Sequence, residues 1–217
     1  MSAIRGSRGI IVTGTDTGVG KTVLSAMLAL ALDGWYWKPV QSGLEEETDT
    51  DAVIRMTGLP ASRALPEAYR LTRPLSPDQS AAHDGVAIDP ERLNPPRAGG
   101  ALVIEGAGGL MVPLNDSLLQ IDLFASWGFP VVLAARSGLG TLNHTLLSVE
   151  ALRLRGVATC GIVMIGPENV GNRSSLERLA GVPVLGAIPP LPRIDRETLI
   201  AAYHNGILPV EQWRCMA

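Results

Sequence analysis

The run Gly14-Thr15-Asp16-Thr17-Gly18-Val19-Gly20-Lys21-Thr22 lies between an apolar, strand-like segment at 9–14 and an apolar, helix-like one at 21–32. A strand, a glycine-rich loop ending in Lys-Thr and a helix, in that order, are what a phosphate-binding loop requires. Glycine lets the backbone curl until successive N–H groups point inward, and the helix adds the positive end of its dipole. Lys21 then reaches the outer phosphates, and the Thr22 hydroxyl is placed to ligate Mg²⁺. The usual pattern has about four residues between its glycines. Gly14 to Gly20 encloses five, a variant longer by one residue.

Such a loop needs a parallel sheet behind it, and the rest of the chain supplies the pattern. Further near-continuous apolar runs at 35–40, 101–105, 131–135, 159–164 and 184–188 read as strands buried on both faces. Helix-like stretches lie between and after them near 51–57, 119–127, 143–154, 173–179 and 196–204. The alternation predicts an α/β fold, a doubly wound, mostly parallel sheet with helices on both faces. No linker or repeat divides 1–217, so one domain is expected. Between 59 and 100, seven prolines break any long element, and this irregular stretch is expected to wall part of the active site.

Charged residues make up only 18% and the net charge is −3, which gives no electrostatic case for nucleic acid. No run approaches the ~18 apolar residues of a membrane span. Cys160 and Cys215 read as reduced and incidental, which suits a cytoplasmic protein. His83, His144 and His204 have no metal-ligand spacing with them.

In open parallel sheets ligands bind beyond the carboxyl ends of the strands. Lys38 closes the second apolar run, locked by Pro39, where a cation beside a transferring phosphoryl group is expected. Glu105 closes the third, ahead of Gly106-Ala107-Gly108-Gly109, where a Mg²⁺ carboxylate belongs. Asp51 opens a helix and Asp49 is its rival, each a candidate second carboxylate or a plain N-terminal helix acid. The stretch Gly138-Leu139-Gly140-Thr141-Leu142-Asn143 leads into a long helix, and its free N–H groups suit an anion or a simple cap.

Together these motifs resemble the dethiobiotin synthetase family over most of the chain. The phosphate loop, Lys38-Pro39-Val40-Gln41-Ser42-Gly43, Asp51-Ala52, Ser76-Pro77, Glu105-Gly106-Ala107-Gly108-Gly109 and Leu139-Gly140-Thr141-Leu142-Asn143-His144 occur in the family's order. The resemblance implies an ATP-dependent ligase that carboxylates 7,8-diaminononanoate with CO₂ and closes the cyclic urea. It implies nucleotide contacts from Asp16, Thr17, Gly18, Val19, Gly20, Lys21, Thr22, Glu105, Gly108, Gly166, Pro167 and Glu168. Lys21, Lys38 and Thr17 would act at the reacting groups, and Thr22, Asp51 and Glu105 would hold Mg²⁺. Lys38, Ser42, Ser76 and Pro77 would face the diamine, and Gly140, Thr141, Leu142 and Asn143 of a partner subunit its distant carboxylate. A homodimer with neither nucleic-acid nor membrane partner follows.

Two departures stand out. The family's adenine-reading Asn-Asp pair is replaced here by Gly166-Pro167-Glu168-Asn169, so other nucleoside triphosphates are expected to be accepted. Asp78 stands where the family often has His after Ser-Pro. The competing expectation is a partner-regulated ATPase of the partition or cell-division type, whose loop carries an extra lysine where this chain has Thr15 and Asp16. An amidoligase would need a glutaminase domain with a nucleophilic cysteine and partner histidine, a role neither Cys160 in a strand-like run nor Cys215 is expected to fill.

Overall fold

The structure, a computed structural model, describes residues 9–213 and 215. The strands are β1 (Gly9–Gly14), β2 (Trp35–Trp37), β3 (Val40–Ser42), β4 (Ala64–Leu65), β5 (Tyr69–Leu71), β6 (Leu102–Gly109), β7 (Pro113–Asn115), β8 (Leu118–Leu119), β9 (Val131–Arg136), β10 (Thr159–Ile165) and β11 (Val184–Ile188). The helices are α1 (Lys21–Ala31), α2 (Asp49–Thr57), α3 (Pro77–His83), α4 (Gln120–Trp127), α5 (Thr141–Leu154), α6 (Val170–Leu179) and α7 (Arg196–Gly206).

One seven-stranded sheet runs in the order β11-β10-β9-β1-β6-β2-β4, with every pairing parallel. β1 and β6 sit near its middle, and Val12 pairs with Glu105. Their apolar runs are covered on both faces. One buried cluster joins Ile10, Val12, Leu24, Leu28 and Leu199; another joins Ile11, Ile104, Ile121, Phe124 and Trp127. This is the expected doubly wound sheet, with the strand ends of β1, β2 and β6 opening on one edge.

The run at 35–40 is not one strand. Pro39 has no N–H to give a ladder, so β2 stops at Trp37, and the chain restarts as β3 in a separate parallel pair with β5. The Pro39 carbonyl instead accepts from the amides of Ala68 and Tyr69. The proline-rich 59–100 stretch holds β4, β5, α3 and two short 3₁₀ turns. At the other end a 3₁₀ turn, Val210–Gln212, brings buried Trp213 back onto the core and sets Cys215 beside β10. Cys160 and Cys215 form a disulfide with Cα atoms 5.0 Å apart, which corrects the reading of both as free thiols. Their separation of 55 residues hid a proximity that only the fold creates.

Candidate active site

The ends of β1 and β2, the middle of β6 and the starts of α1 and α2 converge; β6 runs on to Gly109, so Glu105 lies within that strand rather than closing it as expected. Gly20 caps α1 at φ 100°, a left-handed conformation that a side chain would resist, and it turns the chain from the loop into the helix. Lys21, 6% exposed, bends back over the loop and donates to the Asp16 carbonyl at 3.0 Å. Burial first, then the neighbouring Lys38 charge, lowers its pKa to about 8, with the Glu105, Asp49 and Asp16 carboxylates pulling the other way. A buried ammonium with incomplete compensation is primed for a polyanion.

Thr22 stands on the first turn of α1. Its hydroxyl lies 2.7 Å from Asp49 Oδ1 and 3.0 Å from Glu105 Oε1, its single proton serving one carboxylate at a time. Lys38 Nζ bridges the same pair, 2.8 Å from Asp49 Oδ2 and 3.1 Å from Glu105 Oε1, and also donates to the Gly106 carbonyl at 3.2 Å. Burial alone would lower the Lys38 ammonium, but Glu105 and Asp49 outweigh it and hold it above its ordinary value. Burial likewise works against the Asp49 carboxylate, yet Lys38 and the Thr22 hydroxyl keep it below the usual range. Tyr36 OH donates to Glu105 Oε2 at 3.0 Å, and burial together with that carboxylate pushes the phenol well above its ordinary value. Two carboxylates and a hydroxyl beside a phosphate loop are the hard oxygen donors that Mg²⁺ shares with phosphate.

Asp51, the carboxylate first assigned to the metal, is elsewhere. It accepts from the Thr48 hydroxyl at 2.6 Å and lines a separate hollow with Ile54 and Arg55. Thr48 is the N-cap, so α2 begins at Asp49, two positions earlier than expected. Two helical positions are roughly 200° of rotation, which turns Asp49 inward and Asp51 out. Gln41 fixes that start by accepting from the Asp49 amide at 3.1 Å.

Beyond Lys38 lies a cleft of about 340 Å³, lined by Thr17, Val40, Gln41, Ser42, Asp49, Pro74, Leu75, Ser76, Pro77, Ala107, Gly108 and Val112. The irregular stretch thus supplies one wall. The Ser42 and Ser76 hydroxyls are buried without a hydrogen-bond partner among the described residues, as polar groups facing a polar ligand would be. Asp78 Oδ1, two residues on, shares that condition. Gly108 backs Thr17, and Asp16 Oδ1 accepts from the Thr17 amide at 2.7 Å. Val19 is buried beneath the loop, while Gly18 lies at its exposed crest.

On the other side of the loop, past Ile165, a second hollow of about 210 Å³ is lined by Ser137, Gly166, Pro167, Glu168, Asn169 and Arg173 among others. Gly166 has φ +130°, and a Cβ there would fall 2.5 Å from Ser137 Oγ. A side chain at 166 would strain the backbone and require the Ser137 hydroxyl to move. Gly140, Thr141, Leu142 and Asn143 do not join the cleft; they form the start of α5, next to fully exposed Leu139.

A family model described as an AAA domain matches residues 8–198. The ATP-dependent dethiobiotin synthetase of Rhodopseudomonas palustris (strain HaA2) is 55% identical over 194 residues, 89% of this chain and 91% of that protein. The one from Agrobacterium fabrum is 55% identical over 193 residues, again 89% of this chain and 91% of its own length. The chain belongs to the ATP-dependent dethiobiotin synthetase family. Solved structures add the fold alone. The septum site-determining protein MinD of Pyrococcus horikoshii superimposes with a TM-score of 0.58 at 15% identity, covering 96% of this chain and 89% of that one. A ParA family ATPase from Chlorobium tepidum gives 0.54 at 12% identity, covering 90% and 89%. The competing expectation of a cell-division ATPase therefore shares the architecture, whereas sequence identity places the chain with the dethiobiotin synthetases.

Within this synthetase site, sequence reasoning missed three residues. Tyr36 looks like any core aromatic, and Gln41 like any polar residue at a strand end. Arg136, at the end of β9, donates to the Thr17 carbonyl at 3.0 Å and lies 3.6 Å from Asp16, pinning the outer arm of the loop. Its signal was available: a charge closing the apolar run 131–135.

Proposed function

We propose that this chain carries out the reaction for which its family is named, ATP-dependent formation of dethiobiotin from 7,8-diaminononanoate and CO₂, with ADP and phosphate released. The observation that carries the reading is the joining of Lys38, Asp49 and Glu105 to Thr22 of the phosphate loop, in a chain 55% identical to named synthetases. One amine nitrogen adds to CO₂ and loses a proton, giving a carbamate. A carbamate oxygen attacks the γ-phosphorus and ADP leaves. The second amine attacks the carbonyl of the mixed anhydride and loses a proton, the C–O bond breaks, phosphate departs and the urea ring closes.

The carbamate is already a nucleophile, so positioning and charge stabilisation are the protein's work. The loop amides of 16–22 cradle the phosphates, and Lys21 leaves the Asp16 carbonyl for the outer phosphoryl oxygens. Lys38, held between two carboxylates, points its charge at the transferring group. Thr17, Ser42 and Ser76 hydrogen-bond the carbamate and amines, with Pro77 shaping the wall. Thr22, Asp49 and Glu105 would hold Mg²⁺, which supplies neutralisation of the phosphate charge when bound. The hollow at Gly166, Pro167 and Glu168 would take the base.

A homodimer completes the site. Leu147 and Leu154, one heptad apart on α5, are 59% and 75% exposed, and Leu139 just before the helix is fully exposed. An apolar strip of this kind suits a self-complementary contact, which would bring the Gly140–Asn143 amides to the substrate carboxylate of the other subunit. The use of ATP supports a cytoplasmic activity, with the Cys160–Cys215 disulfide the feature unusual for that compartment. Among the described residues no helix is long and apolar enough to cross a membrane. The test is direct: diaminononanoate, bicarbonate, Mg²⁺ and ATP are incubated with the protein and the product is weighed by mass spectrometry. Dethiobiotin from the wild type and none from Lys21→Ala supports the reading; ATP hydrolysis without dethiobiotin removes it.

A further inference from the structure

Glu105 is 1% exposed, and its two oxygens are held by different groups. Oε1 receives Thr22 and Lys38, at 3.0 and 3.1 Å. Among the described residues Oε2 receives only the phenol of Tyr36, at 3.0 Å. Tyr36 and Lys38 lie two positions apart at the end of β2, so the alternation of an extended chain sends both to the same carboxylate. Tyr36 itself does not line the cleft, is 1% exposed, and its ring lies in the buried cluster with Val53 and Met56. Among the described residues, the phenol donates to this carboxylate and to no other group.

We infer that Tyr36 is a positioning residue of the metal and phosphate centre, holding the Glu105 carboxylate so that Oε1 stays aimed at Thr22 and Lys38. The terminal torsion of glutamate is broad and two-fold, so packing alone does not fix it. A donor on one oxygen does. With Oε2 tied back, Oε1 stays on the side of Thr22 and Lys38, the two groups that also hold Asp49; without the tie the carboxylate turns and spreads its charge between Lys38 and the core. Partners that orient a metal ligand from behind typically change metal affinity ~10–100-fold. The inference rests on the proposed role of Glu105 as a metal ligand.

The test reads metal affinity rather than turnover. Mn²⁺ binding to the ADP-saturated protein is followed by the electron paramagnetic resonance of free Mn²⁺, in the wild type, Tyr36→Phe, Glu105→Gln and the double variant. Tyr36→Phe should weaken Mn²⁺ binding about 10–100-fold. ADP affinity in EDTA should stay within about twofold, since outer partners act on the metal and not on the phosphate loop. Glu105→Gln should weaken Mn²⁺ at least as much, and adding Tyr36→Phe to it should change nothing more. If Glu105→Gln weakens Mn²⁺ while Tyr36→Phe does not, or if the two effects add, the inference about Tyr36 is overturned and the metal site stands. If Glu105→Gln has no effect, the metal assignment fails and takes the inference with it.

A second measurement needs no Tyr36 variant. Protein labelled with 3-fluorotyrosine carries three ¹⁹F resonances, from Tyr36, Tyr69 and Tyr203, assigned with Tyr69→Phe and Tyr203→Phe. On titrating Mg²⁺ at fixed ADP, the Tyr36 resonance should shift with the Mg²⁺ midpoint while the others hold still. A Tyr36 resonance that does not respond overturns the inference.

Discussion

Asp49 and Asp51 carry the same group on the same helical turn, and only one faces the phosphate loop. The distinction lies in the cap. Thr48 starts α2 and draws Asp51 to its own hydroxyl, which leaves Asp49 to meet Lys38 and Thr22. Asp49→Asn should therefore raise the Mg²⁺ concentration for half-maximal turnover by at least ~10-fold, since even outer partners of a metal ligand are worth that much. Asp51→Asn should leave it within about twofold, its cost falling on helix capping alone. A Mg²⁺ titration of both variants decides, and the reverse ranking would return the metal to Asp51. Lys38→Ala removes the charge at the transferring phosphoryl group and should lower kcat by ~100-fold or more, with nucleotide affinity reduced far less. Equilibrium binding of a fluorescent ADP alongside steady-state rates separates the two effects. Unchanged kcat would make Lys38 a structural counter-ion for Glu105 and Asp49. The rotation that chooses between the two aspartates was not legible in the sequence. It depends on where α2 begins, and that is fixed by Thr48 as N-cap and by Gln41 reaching in from β3.

At the scale of elements, the motifs at strand ends were legible because a parallel sheet leaves them nowhere else to go. β1, β6 and the helix after the phosphate loop follow from apolar runs and glycine spacing. What the sequence concealed are consequences of pairing: Pro39 dividing one apolar run between two sheets, the partner that Arg136 finds in Thr17, and Cys215 returning to β10. Each joins segments that no local pattern links. The turn after β10 carries its own prediction. Where the Asn-Asp pair is missing, Ser137 Oγ stands 2.5 Å from the place a Cβ at 166 would take. If the base takes the proposed hollow, its contacts would fall to backbone groups, to Ser137 or to Glu168 and Asn169 at the rim. Nucleotide choice should be loose, with kcat/KM for CTP or GTP within about a hundredfold of ATP, a gap of ~2.7 kcal/mol. Steady-state rates with the three nucleotides check this, and a larger preference for ATP would require specific base contacts. Gly166→Asn alone should lose about 1–3 kcal/mol of stability by denaturant melting, from the strained φ and the collision. Paired with Ser137→Gly it should recover the part owed to the collision.

For the whole molecule the decisive question is where the substrate's far end lies. The cleft beside Lys38, where the diamine head is proposed to bind, is lined by polar groups, whereas the amides at the start of α5 lie outside it. The substrate is long and apolar between its amines and its carboxylate, so a site confined to one chain would leave that tail and its charge in water. The proposed two-fold contact through α5 would solve both problems, covering the exposed leucines and carrying a helix N-terminus to the carboxylate. The helix there is built to accept the test. Asn143 is the third residue of α5, within the first turn, where backbone N–H groups have no partner inside the helix. Asn143→Pro therefore deletes a donor while leaving the helix able to form. Lys21→Ala disables the phosphate loop of its own chain. Each homodimer should be nearly inactive. In a mixed dimer one site carries both lesions and the other carries neither, so turnover should recover towards about half of wild type per heterodimer, as an isologous interface demands. Sedimentation measures the dimer fraction in the same samples. Mixing without recovery, at concentrations where heterodimers are present, would confine the site to one chain. A protein that sediments as a fully active monomer would do so as well.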